Sequence, residues 1–174
     1  MESEKNDIVN RVAMSNLITI DLEDFYVEGE RQVLDIAPVL YQGMVLREKE
    51  FRQWVKDKDW EQYRNKLVAV ICSEDAIVPT WAYMLLATKL QPVAKMFVFG
   101  SLQELESILY QKAVDSIDPA QYEGAKLVIK GCSNKPVPVS AYVEITRRLT
   151  PFAGSIMYGE PCSTVPIYKK PKEK

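Results

Sequence analysis

"KLVIKGCSNKPVPVSAYVEITRRL", Lys126 to Leu149, is the stretch whose reading decides the fold. It opens on a short apolar, β-branched run, "KLVIK", which predicts a buried strand. A loop held by Pro136 and Pro138 follows, and "VSAYVEITRRL" then predicts a helix. Pro138 fits a first helical turn, where the missing N–H costs nothing. Pro151 closes the helix, and "SIMYG" returns as a strand ended by Gly159.

The chain carries this phrase twice. "KLVAVICS" (Lys66–Ser73) matches "KLVIKGCS" (Lys126–Ser133), with one residue then gained in the first copy. After that gain, "VPTWAYMLLATKLQPVAKMFVFG" (Val78–Gly100) lies ungapped on "VPVSAYVEITRRLTPFAGSIMYG" (Val137–Gly159). Upstream, "DWEQY" at Asp59 echoes "DPAQY" at Asp118. "SLQELESILYQKA" places Leu102, Leu105, Ile108, Leu109 and Ala113 on one helical stripe. "REKEFRQWVKDKD", with Phe51, Trp54 and Val55, is its counterpart before the first copy.

Alternation of strands and helices predicts an α/β fold with a mostly parallel central sheet and helices on both faces. The fold is read as an internal βαβ duplication, with repeats at about 44–100 and 101–159. "NLITIDLEDFYVEGERQVLDI" adds an N-terminal strand or hairpin. At 174 residues, one domain spanning 1–174 is expected, with a short basic tail at 168–174.

Composition narrows the function. With 22 basic and 24 acidic residues the net charge is −2, which does not suggest a nucleic-acid binder. No apolar run is long enough to cross a bilayer, and "MESEKNDIVNRV" lacks the apolar stretch of a secretory signal, so a cytoplasmic protein is expected. There is no histidine. That removes Ser-His-Asp triads, Cys-His pairs and His-ligated zinc. Phosphate-cradling GxxxxGK[ST] and GxGxxG turns are also missing.

Thiols remain. Each of the three cysteines is followed by serine and then by Val-Pro: Cys72-Ser73, Cys132-Ser133 and Cys162-Ser163. Cys72 and Cys132 stand where a strand hands over to a helix, and Cys162 follows the last strand. In a parallel sheet all three leave the carboxyl edge, where open α/β sheets bind ligands. Three thiolates suit zinc or an iron–sulfur cluster, with Asp75 or Glu160 as an oxygen ligand. Ser73, Ser133 and Ser163 are candidates for hydrogen bonds to the cofactor. The competing reading is three buried core cysteines.

Two other functions stay open. One is a thiol or persulfide enzyme with Cys132 as nucleophile; the other is a non-catalytic interaction module. Tyr83 and Tyr142 hold matching helical positions and are read chiefly as packing residues. Asp21, Glu23 and Asp24 are read as a solvated acidic edge, and Trp54, Trp60 and Trp81 as packing. A homo-oligomer is compatible with the sequence.

"LITIDLEDFY", "CSEDAIVPTWAYMLLA", "KGCSNKPVPVSAYVEIT" and "SIMYGEPCSTVP" together resemble a bacterial family known as domain of unknown function 2480. The resemblance runs from about Ile8 to Tyr168. It implies an accessory, carrier or scaffold role beside iron–sulfur assembly proteins, because family members tend to be encoded near that machinery. No activity is assigned to the family.

Overall fold

The computed structural model describes residues 17–131 and 134–171. It is a mixed α/β protein whose strands fall in two sheets, where the sequence reading expects one. The chain gathers into two compact units. Unit 1 comprises residues 1–26 and 110–174, and unit 2 comprises residues 27–109.

Unit 2 is built on an all-parallel sheet of order β2-β3-β4, from β2 (Arg31–Asp35), β3 (Leu67–Ile71) and β4 (Met96–Phe99). Alternation along β3 sends Val68 and Val70 to one face and Leu67 and Ala69 to the other. The first face packs against α1 (Glu48–Asp57) and α2 (Thr80–Leu90), through Phe51, Val55, Ala82 and Leu86. The second packs against Leu105 and Leu109 of α3 (Leu102–Asp115). β3 is thus covered on both faces, which is why its sequence is apolar throughout. Arg31 grips Glu106 with two hydrogen bonds of 2.6 and 3.1 Å and ties β2 to α3. Ser101 and Glu104 cap the start of α3 reciprocally, the pattern that "SLQE" encodes.

Unit 1 holds the second sheet, of order β1-β5-β6-β7. β1 (Leu17–Asp21), β5 (Lys126–Lys130) and β6 (Ser155–Glu160) run parallel, and β7 (Ser163–Lys169) returns antiparallel. Its core joins Ile20, Leu127, Ile129 and Ile156 to Ala141, Ile145 and Leu149 of α4 (Val139–Leu149). Tyr110 and Val114 from the second half of α3 complete that core.

The N-terminal stretch, read as a strand or hairpin, supplies edge strands and no hairpin: β1 pairs in parallel with β5, and β2 with β3. One reading needs correcting. Cys162 to Pro166, read as loop, is largely strand: β7 starts at Ser163 and runs into the expected tail. Pro166 hides this strand from a sequence reading, since proline is tolerated only at a sheet edge, and β7 is an edge.

The duplication is a reading of the sequence, and the strand registers place its two stretches one residue away from the Cys-on-Cys match. Leu67 pairs with Met96, and Lys126 with Ser155. Met96 and Ser155 correspond in the ungapped segment, so Leu67 corresponds to Lys126 and Val68 to Leu127. Burial agrees, because Val68 and Val70 face helices in unit 2 as Leu127 and Ile129 do in unit 1. A match on identical Cys-Ser letters sets the two strands one residue out of step, which would turn every side chain to the other face. By chain position, Cys72 therefore corresponds to Gly131, and Ser73 to Cys132.

Candidate functional site

In each unit an aspartate ends the edge strand and fastens the backbone beyond it. Asp35, at the end of β2, accepts hydrogen bonds from the N–H of Ala37 at 2.9 Å and the N–H of Ser73 at 3.1 Å. The Ser73 hydroxyl donates to its other oxygen at 2.6 Å. Burial alone pushes the Asp35 carboxyl up, but the Ser73 hydroxyl and the two amides together hold it below the ordinary aspartate value. Ser73 is thus a loop anchor.

Cys72 follows β3 directly. Its thiol is half-buried and donates to the Glu74 carbonyl at 3.3 Å. Asp75 is exposed in the same loop. Burial pushes the Tyr83 phenol up, and the charges of Cys72 and Asp35 add to the effect.

A lowered carboxylate pKa stabilises the fold above the ordinary value and loses that contribution as pH falls through the lowered one. Asp35→Asn should therefore cost about 1–2 kcal/mol at neutral pH, after allowance for solvent exposure. It should also flatten the acid limb of the stability profile. Urea unfolding of the two proteins between neutral pH and pH ~3 checks this against the ordinary Asp range.

The corresponding end of unit 1 is richer in charge. Asp21 closes β1 and accepts the N–H of Glu23 at 3.0 Å. Its carboxylate meets Lys130 Nζ at 3.1 Å, and Glu160, at the end of β6, meets the same ammonium at 3.6 Å. Lys130 is held above the usual lysine range, first by its hydrogen bond to Asp21 and then by the two negative charges. Glu23 accepts the N–H of Asn134 at 3.0 Å and secures the loop after β5. The stretch read as a solvated acidic edge is therefore partly a set of fasteners.

Gly131, directly after β5, sits at φ 145°, where a Cβ would come within 3.0 Å of Leu22 Cβ and 3.3 Å of the Tyr142 hydroxyl. Gly131→Ala should destabilise by about 1–3 kcal/mol through backbone strain and this contact. A lowered thermal midpoint would register the loss.

The sequence-read cysteines divide as follows. Cys162 is exposed in the turn between Glu160 and Ser163, which face each other across the β6–β7 hairpin. Cys132 and Ser133 lie outside the described residues. Cys72 belongs to unit 2. Among the described residues no group of three or more Cys, Asp or Glu side chains stands together as a ligand set. Asp21 and Glu160 share Lys130 as a counter-ion, which any cation would have to displace.

β5 and β6 are neighbouring parallel strands, so Lys130 and Glu160 mark one end of the sheet. Cys132 follows the first of these residues by two positions in the chain, and Cys162 follows the second likewise. The chain leaves β5 and β6 at this same end of the sheet.

Both tyrosines sit against an aromatic residue on the neighbouring strand. Tyr83 meets Phe99 edge-on with centroids 4.8 Å apart, and Tyr142 meets Tyr158 at 5.8 Å. Trp54, Trp60 and Trp81 pack around the unit 2 core, as read.

The sequence reading did not single out Asp35 or Lys130. A signal for Asp35 exists, because "VLDIAPV" repeats the strand-then-aspartate pattern of "TIDLEDF".

No curated protein and no solved structure matches this chain. A family model does, over residues 6–170, and the chain belongs to that family, described as a protein of unknown function, DUF2480.

Proposed function

We propose that the protein binds a zinc ion or an iron–sulfur cluster at the carboxyl edge of the unit 1 sheet, and serves as an accessory in cluster assembly. Cys132 and Cys162 are the thiolate ligands of this reading, with Glu160 and Asp21 as oxygen donors within reach of the same edge. The observation that supports it is the parallel pairing of β5 with β6, the two strands that lead to these cysteines. Soft thiolates with one or two carboxylates make an acceptable zinc set and a workable cluster scaffold. Asp75 lies in the Cys72 loop of unit 2 and is left out of the proposal. So is Cys72, because the supporting geometry lies wholly within unit 1.

Purification without oxygen, followed by assay of zinc, iron and acid-labile sulfide, tests the reading. Near-stoichiometric metal is expected. Metal-free protein that also refuses reconstitution overturns the proposal.

A second reading is thiol or persulfide chemistry at the same edge. Lys130 sets an ammonium at this edge, in contact with Asp21 and Glu160. Under this reading one cysteine alkylates much faster than the others, and added zinc leaves the rate unchanged.

A further inference from the structure

Unit 1 carries an open apolar groove of about 640 Å³ between α4 and the β5–β6–β7 sheet. Ile129 and Ile156 form its floor, and Val143, Tyr142, Tyr158 and Ile167 rise around it. The floor residues are buried, whereas Val143 is 62% exposed and Ile167 53% exposed. Among the described lining residues no side chain is ionisable apart from the two phenols. The Thr146 hydroxyl is already committed to the Tyr142 carbonyl at 2.7 Å.

Two features mark this as a shaped space. First, the β6–β7 register shifts between Ile156 and Met157, which pair with Tyr168 and Pro166. Ile167 is left without a cross-strand partner and lines the groove. A bulge that re-aims one side chain is the usual use of such an irregularity. Second, unit 2 offers an internal comparison. It has a matching aromatic pair, Tyr83 and Phe99, and a matching exposed apolar residue, Met84. There β4 ends the sheet, with no counterpart of β7 among the described residues. In unit 1 the added hairpin gives the apolar face one side, at Ile167.

We infer that this groove binds an uncharged, flat aromatic molecule. The volume falls in the range of small-molecule sites, which spans roughly 300–1,000 Å³. An apolar lining without cations excludes phosphates and other strong anions, whose desolvation would go uncompensated. The Tyr142–Tyr158 pair, with its rings inclined at 74°, presents both a ring face and a ring edge. Aromatic rings gain from tilted and offset contacts with one another beyond the area they bury, so a further ring suits such a pair. The inference does not draw on the cysteine reading, since no cysteine is among the described residues that line the groove.

The neutral fluorophore N-phenyl-1-naphthylamine, titrated into the full chain, provides the test. Saturable one-to-one binding is expected, displaced by naphthalene in preference to decanol. Val143→Asp sets a charge in the groove from an exposed position and should weaken binding by about tenfold or more. Met84→Asp, at the matching position of unit 2, should leave it unchanged. No saturable binding, or binding indifferent to Val143→Asp, overturns the inference. So does preferential displacement by decanol. Self-association that Val143→Asp abolishes, without fluorophore binding, would assign the face to a second copy of the chain and also overturn it.

Discussion

Phe51→Ala is expected to lower the unfolding free energy by about 3–5 kcal/mol. The phenyl ring is fully buried and meets Trp54 at 5.6 Å and Trp81 at 5.8 Å. α1 is otherwise a charged helix, whose only buried residues are Phe51 and Val55. Removing the ring leaves a void that the neighbouring indoles cannot collapse into without losing their own contacts. Since total stability is typically only about 5–15 kcal/mol, a large share disappears. Phe51→Leu keeps most of the buried area and should cost less than half as much. Urea midpoints of the two variants against the parent give the comparison. A Phe51→Ala protein within 1 kcal/mol of the parent would mean that α1 is not anchored as described.

The second large effect is chemical. On the proposed function, Cys132→Ser or Cys162→Ser alone should abolish most metal binding, because a hydroxyl is a far poorer ligand than a thiolate for zinc or iron. Cys72→Ser should keep it. Glu160→Gln should weaken retention only in part, since it removes one carboxylate and spares both sulfurs. Metal-to-protein ratios after gel filtration with a chelator rank the variants. Circular dichroism shows whether each has kept its fold. Equal retention in Cys132→Ser and the parent would remove the site from this edge.

How much of this was legible beforehand depends on the length scale of each signal. Helices α2 and α4 announce themselves through Pro79, Pro138, Pro92 and Pro151, which bound them in the sequence itself. Leu105 and Leu109 show by spacing alone which face of α3 turns inward, and both are buried. Strands β3 and β5 are recognisable as apolar runs, but their mutual register is not. Only the pairing of Leu67 with Met96 and of Lys126 with Ser155 fixes that. β7 was hidden because its pattern is broken by Pro166 and by a bulge.

The fasteners were the hardest to foresee. The contact between Asp35 and Ser73 spans 38 residues of chain. A lone aspartate at a strand end gives no local hint of such a partner. Lys130 is hidden in the sequence for a related reason. In "KLVIKGCS" it looks like a flanking charge, and its role depends on Asp21 and Glu160 arriving from two other strands.

The central claim is that neighbouring parallel strands bring the segments of Cys132 and Cys162 to one edge of the unit 1 sheet. Mild oxidation of the Cys72→Ser protein, followed by peptide mapping under non-reducing conditions, tests it most directly. A disulfide forms only where the two Cα atoms approach within roughly 4.4–6.8 Å. A rapid intramolecular Cys132–Cys162 crosslink, suppressed by prior loading with zinc, is the predicted result. Two thiols that react independently with alkylating reagents and never crosslink would contradict it.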